Sequence, residues 1–291
     1  LAAPPVEVPF IPSARRVLNN RPYCTYLLMK VPLTCFSLIP SNLAAYFVKH
    51  NMALESWLPL YNIVLLFALA GGLVATPLLV AAARRYGKRE VLTRVLVFEG
   101  VFYVLAGLVP GSIFAASPML LLPIGACIGV GQVIAFVLPD AMLADIIDYA
   151  ELHSGSRDEG MYTVVETNLQ QFVEIAGGVV PLIVLSAGGY QALGGCKCGC
   201  GVSCEAAIGE PYSRWHCPGS VGYSCTGAIG ETLFFEPEPE VPPCAAQSDS
   251  VQHIISFLFL VLPGVLALLA AWPASRMPIT SARHAKMVEI I

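Results

Sequence analysis

The chain has 291 residues, of which 56% are hydrophobic and 12% charged, with a net charge of -4. A soluble globular domain carries about 25% charged residues, so this composition excludes that class and points to a membrane protein. No basic patch is interleaved with aromatics, which removes nucleic acid from the expected partners.

Residues 1–22 are rich in proline, end in Arg15, Arg16 and Arg21, and read as a cytosolic linker. The chain opens on Leu1 without the basic head and short apolar core of a signal peptide; the expectation is that an upstream part precedes it. Six apolar segments follow: Tyr23–Val48, Trp57–Ala83, Val91–Val109, Pro118–Leu138 (or from Ile113), Met161–Ala187 and Val251–Trp272. Each is near the roughly 20 residues that cross a bilayer. Strand alternation of comparable strength is absent, so the fold expected is all-α with six transmembrane helices. The domain reading is residues 23–187 for the first five helices, 188–250 for a loop, 251–272 for the last helix and 273–291 for a tail.

Basic residues set the orientation. Arg15, Arg16, Arg21, Arg84, Arg85, Lys88, Arg89, Arg94, Arg157, Arg276, Arg283 and Lys286 fall on the side of the termini, against Lys49, Lys197 and Arg214 opposite. Both termini are therefore expected in the cytosol. The long loop from Gly188 to Ser250 then lies outside, and it holds Cys196, Cys198, Cys200, Cys204, Cys217, Cys225 and Cys244. Thiols concentrated in an exoplasmic loop fit an oxidising compartment and disulfides. Metal is the sharper alternative, because CKCGCGVSC packs four thiols into nine residues. Seven is odd, so one cysteine is free or pairs elsewhere. Cys24, Cys35 and Cys127 sit in spans and read as small apolar fillers. The stretch FFEPEPEVPP in the same loop reads as extended and acidic.

Polar groups inside the spans carry the functional signal. Glu166, Gln170 and Glu174 recur every four residues and line one helix face, with Thr163 and Thr167 beside them. Glu174 lies about 20 Å from the helix start at 1.5 Å per residue. An ionised carboxylate there costs at least about 2.5 kcal/mol, so it faces water, a cation or a partner, or is protonated. One reading is a cavity-lining stripe that binds a polar substrate or coupling cation. The plainer one is a structural ion pair or hydrogen bond between helices. Glu99 reads as a packed acid, protonated or paired, rather than a site. Gly125 and Gly129 read as close helix packing. Lys30 is near enough to the cytosolic end to snorkel and reads as an interface anchor. The five histidines show no metal-ligand spacing, and no catalytic triad, P-loop or dinucleotide fingerprint is present; neither an enzyme nor a resident cofactor is expected.

Between the fourth and fifth segments lies an acidic stretch with Asp140, Asp145, Asp148, Glu151 and Asp158. It reads as a hairpin that leaves the apolar segment at Pro139 and passes through Gly155, Arg157 and Gly160. Arg84, Arg85, Lys88 and Arg89 stand at the same face. Such charges can pair when that face is closed and separate when it opens, a cytosolic gate in which Asp145, Asp148 and Glu151 are the acidic side. The simpler alternative is solubility of cytosolic turns.

The hairpin LPDAMLADIIDYAELHSGSRDEGMY resembles the segment joining the tenth and eleventh helices of the glycoside-pentoside-hexuronide cation symporters, the melibiose-carrier branch of the major facilitator superfamily. NRPYCTYLL resembles that family's entry into its seventh helix, PLLVAAARRYGKREVL its basic loop between the eighth and ninth, and VQHIISFLFLVLPGVLALLA its last helix. The resemblance covers Asn19 to Gly189 and Val251 to Trp272; the Cys-rich loop has no counterpart in it. It implies a twelve-helix fold in two halves, of which this chain holds the C-terminal one. It further implies cation-coupled symport of a sugar or related small solute, with sodium or proton as coupling ion. A lysophospholipid cargo is the alternative within the family, and a membrane receptor or anchor whose Cys-rich loop binds a partner is the alternative outside it. The partners implied are the lipid bilayer, a small-molecule substrate, and an N-terminal six-helix half or a second copy. In many members the eleventh helix carries a lysine one turn before its small-residue run; here that position is Glu174, a departure from the family's coupling pattern.

Overall fold

The computed structural model describes residues 10–52, 58–154, 158–190 and 249–278, together with five short strands between 196 and 235. The helices are α1 (Phe10–Leu18), α2 (Arg21–Asn51), α3 (Leu58–Tyr86), α4 (Lys88–Gly107), α5 (Gly111–Ala116), α6 (Leu121–Ser154), α7 (Glu159–Ala187), α8 (Asp249–Ser256) and α9 (Leu262–Ser275). A π turn, Phe257–Val261, joins α8 to α9. Pro263 follows it and lacks the N–H that an α-helical ladder needs there. Where a linker is expected before the first span, residues 10–18 form α1.

Among the described residues, five helical stretches are long and apolar enough to cross a membrane: Arg21–Asn51, Leu58–Tyr86, Pro118–His153, Glu159–Ala187 and Asp249–Ser275. The membrane body is thus helical, as the composition requires. The expected span Val91–Val109 falls on α4, which is 20 residues long but carries Lys88, Arg89, Glu90, Arg94 and Glu99. Those charges keep it outside the apolar group, although it packs within the bundle against α3, α6 and α9.

Helix α2 is central and packs against α6, α7 and α9; α3 pairs with α6 and α4 with α9. Around α2 the core is aromatic. Tyr23, Tyr26, Phe36, Phe47, Tyr103 and Phe259 are fully buried. The phenyl rings of Phe47 and Phe259 stack at 4.7 Å, and Phe36 meets Tyr103 edge-on at 5.8 Å. Glycines set two close helix crossings. A Cβ on Gly125 would lie 2.7 Å from the Val64 carbonyl, and one on Gly129 would overlap that of Ala68, so α3 and α6 meet backbone to backbone. Gly100 and Gly264 do the same for α4 and α9. Only Gly87, at φ +92°, separates α3 from α4, a conformation that costs glycine little. Outward faces of α3 and α7 are apolar, with Leu66, Leu69, Leu73, Phe172, Ile175 and Ile183 exposed.

One boundary corrects the sequence reading. The apolar segment does not end at Pro139; α6 runs through it for 34 residues to Ser154. At about 51 Å this helix outreaches a hydrocarbon layer of about 30 Å. Asp140, Asp145, Asp148 and Glu151 therefore stand on helical turns rather than in a hairpin loop. A proline inside a membrane helix is tolerated because neighbouring groups satisfy the freed carbonyl, whereas a loop would free many.

Beyond α7, β1 (Cys196–Lys197), β2 (Ser203–Ala206), β3 (Trp215–His216), β4 (Tyr223–Thr226) and β5 (Thr232–Phe235) form one antiparallel sheet in the order β3-β2-β1-β4-β5. Its register sets Cys196 opposite Cys204. Of the expected disulfide cysteines, Cys198, Cys200, Cys217 and Cys244 lie outside the described residues, as do Arg157 and the tail beyond residue 278.

A polar seam between three helices

Helix α2 carries Tyr26, Lys30, Thr34, Ser37 and Ser41 at spacings of four, four, three and four. That spacing runs a polar stripe along one side of an otherwise apolar helix. The stripe meets Gln132 and Asp140 from α6 and Glu166 from α7. The result is a polar seam through the body of the bundle.

Lys30 is the centre of the end nearest the start of α2. It lies about 14 Å along α2 from Arg21 and is 1% exposed. Its Nζ is 3.0 Å from Glu166 Oε1 and 3.4 Å from Asp140 Oδ1. The Tyr26 hydroxyl donates to the same Glu166 oxygen at 3.2 Å. Phe136 places its ring 6.0 Å from the ammonium. The Tyr23 hydroxyl donates to the Tyr162 carbonyl at 2.7 Å and fixes α2 against α7 just below. Lys30 is thus not the interface anchor that its position suggests. A lysine snorkels when nothing inside pairs its ammonium, and here α7 supplies a buried carboxylate.

Glu166 is correspondingly buried, 6% exposed, and committed to Lys30. The other members of the expected α7 stripe part company with it. Gln170 Nε2 donates to Glu174 Oε1 at 2.7 Å, and both are half-buried. Thr163 and Thr167 are exposed on the adjoining face, where the Thr163 hydroxyl donates to the Glu159 carbonyl. The stripe is therefore held by an ion pair between helices at Glu166 and by a hydrogen bond within α7 between Gln170 and Glu174.

Further along the seam Gln132 Nε2 donates to the Ser37 carbonyl at 2.8 Å and to Ser41 Oγ at 2.7 Å. Ser41, Gln132 and Thr76 edge a cavity of about 480 Å³ between α2, α3 and α6. Its remaining wall is apolar, including Val64, Ala68, Leu69, Leu73 and Ile128. Three hydrogen-bonding side chains beside an apolar wall suit a solute with hydroxyls on one edge and C–H groups on its face.

At the basic end one of the opposite-charge pairings expected there is formed. Lys88 Nζ sits 2.7 Å and 2.9 Å from the two Asp145 oxygens and donates to the Ala141 carbonyl at 2.8 Å, tying the start of α4 to α6. Arg89 donates instead to the Met277 carbonyl at 3.0 Å and lies 4.0 Å from Glu90. Arg84 and Arg85 are exposed, with Arg85 over the Tyr86 ring. Asp148 and Glu151 are half-buried on the same face of the bundle. Arg16 pairs with Asp158 at 3.2 Å beside a second cavity of about 420 Å³ that includes Asn20, Tyr149, His153 and Tyr162.

The helical spacing of α7 marks Glu166 in the sequence, whereas Lys30 reads there as an interface anchor and Tyr26 and Gln132 are not singled out. The regular polar spacing of α2 carries the signal for Tyr26 and Lys30. Gln132 is a lone amide in an apolar run, and nothing local marks it.

Comparison with known proteins agrees with this architecture. A transporter from Lactiplantibacillus pentosus, described as an isoprimeverose transporter, is 29% identical over 196 residues. That match takes in 64% of this chain and 37% of the relative, so the chain spans well under half the relative's length. The sequence profile described as MFS/sugar transport protein matches residues 4–198, which contain α1 to α7 and the whole polar seam. With a helical membrane body, a polar seam inside it and a profile match across most of its length, the chain belongs to the MFS/sugar transport protein family.

Proposed function

We propose that this chain forms one six-helix half of a secondary transporter that carries a sugar or related small solute by cation-coupled symport. The observation that carries the proposal is the buried Lys30–Glu166 pair, extended by Asp140 and Tyr26. A buried ion pair is a poor source of stability, because desolvation offsets most of its attraction. Ionisable groups inside a membrane protein face its interior and mark solute or ion pathways. Here the pair joins α2 to α7 and, through Asp140, to α6, so it can hold those helices together in one state and release them in another. Gln132, Ser41, Gln170 and Glu174 supply hydrogen-bonding edges for hydroxyls, and the name of the bacterial relative supports a sugar as cargo.

In this reading the basic end lies in the cytosol, α4 is the sixth span, and Lys88–Asp145 is a closed cytosolic contact that parts during alternating access. The 188–250 segment is exoplasmic and its cysteines form disulfides. An N-terminal half or a second copy completes the cavity, since family-type sites lie between two such units. The coupling ion is sodium or a proton. A lysophospholipid cargo is the second reading, favoured by the apolar wall of the α2–α3–α6 cavity.

Uptake by the full-length protein in vesicles tests both. Labelled pentosides, hexosides and lysophosphatidylcholine are offered with and without a sodium or pH gradient. Saturable, gradient-driven entry of a glycoside supports the first reading. Entry of the lysolipid alone transfers the conclusion to the second, and entry of none overturns both.

A further inference from the structure

Glu99 has a setting unlike that of any other acid described. It lies about 17 Å into α4, close to the middle of that helix. It is 0% exposed, and neither carboxyl oxygen has a hydrogen-bond partner among the described residues. No cation pairs with it there, since Lys30 is committed to Asp140 and Glu166. The carboxyl rests against Gly131 of α6, where an added Cβ would sit 3.2 Å from Glu99 Oε2 and 3.0 Å from the Phe36 ring. The titratable groups around it are Tyr103 on its own helix and Cys127 on α6. Tyr103 is fully buried, and its hydroxyl also lacks a hydrogen-bond partner among the described residues. Helix α2 presents Phe36, and neither α9 nor the middle of α3 has an ionisable residue.

An isolated carboxylate without a cation or donor is not sustained in such a place; the group neutralises instead. We propose that Glu99 is a proton-binding site, with the proton held on its carboxyl in this conformation and yielded to water when the α2–α6 seam parts. On release the carboxyl O–H bond breaks, water takes the proton, and the carboxylate left behind is hydrated. The geometry ties the two events. Phe36 and Gly131, which wall in Glu99, immediately precede Ser37 and Gln132, whose hydrogen bond closes the middle of the seam at 2.8 Å. Parting Ser37 from Gln132 moves both walls and admits water. Proton occupancy stands on burial alone; its link to seam opening rests on the transport reading above.

Infrared difference spectra of the full-length protein, wild type against Glu99→Gln, decide the occupancy. The wild type is expected to show the carbonyl band of an unhydrated protonated acid that the variant lacks. That band is expected to persist from about pH 5.5 to about pH 8, a range in which a water-exposed glutamate is ionised. If the variant fails to assemble, the wild-type pH series decides by itself. A carboxylate band in place of the acid band overturns the proposal, as does an acid band that sodium abolishes at constant pH. For the release step, Glu99→Gln is expected to lose stimulation of uptake by an imposed pH gradient while keeping solute exchange. Equal stimulation of variant and wild type overturns that step. A wild type that moves no solute counts against the transport reading alone, and the infrared band still decides whether Glu99 holds a proton.

Discussion

Removing the Lys30 ammonium is the sharpest test of the seam. In Lys30→Met the apolar stem remains and the charge goes, so packing changes little. The partner left behind is Glu166, whose side chain is 8% exposed, whereas Asp140 is 65% exposed and returns to water at little cost. At 3.0 Å and an effective dielectric constant near 20, the Lys30–Glu166 attraction is about 5 kcal/mol before desolvation is counted. Leaving one member of a buried pair uncompensated costs about 3–5 kcal/mol, a drop in Tm on the order of 10 °C. The paired variant Lys30→Met, Glu166→Gln removes both charges and keeps an acceptor for the Tyr26 hydroxyl. It is expected to recover most of the loss, to within about 1–2 kcal/mol of wild type. Thermal melting of the purified full-length protein in detergent, followed by tryptophan fluorescence, reads the wild type and both variants. Wild-type melting in Lys30→Met, or a double variant no more stable than the single, would refute the buried pair.

Other outcomes are specific to particular residues. Gly129→Ala is expected to destabilise by about 1–3 kcal/mol, because its methyl meets the Ala68 backbone, which cannot rotate away. Gly160→Ala, with nothing within 4 Å of the added carbon, is expected to melt at or above wild type in the same assay. Glu174→Gln is expected to keep fold and Tm, since the amide can still accept from Gln170, while gradient-driven uptake falls and exchange survives better. Wild-type ion dependence in that variant would remove Glu174 from coupling. Non-reducing and reducing peptide maps of the 188–250 segment are expected to differ. They should include a Cys196–Cys204 pair, because directly opposed antiparallel residues stand about 4.5–5.5 Å apart at Cα. Identical maps with stoichiometric bound zinc would favour the metal alternative instead.

The amino-acid sequence by itself determined the class and five of the six expected spans. Long apolar runs decide membrane residence locally, so Tyr23–Val48 and Met161–Ala187 were legible within a few residues of α2 and α7. The basic turn at Arg84–Arg89 and the acids of α6 were legible as one charged end for the same reason. Pro139 misled, because whether a proline ends a helix depends on neighbours that satisfy the freed carbonyl. What tertiary structure alone decided was which polar groups meet. Lys30, near a helix end, points inward because Glu166 on α7 waits there, and Glu99 points to neither water nor cation because Phe36 and Gly131 close over it. A side chain's charge is written in the sequence, but its partner is set by how helices far apart in the chain cross, and the energy of a buried charge depends almost wholly on that partner.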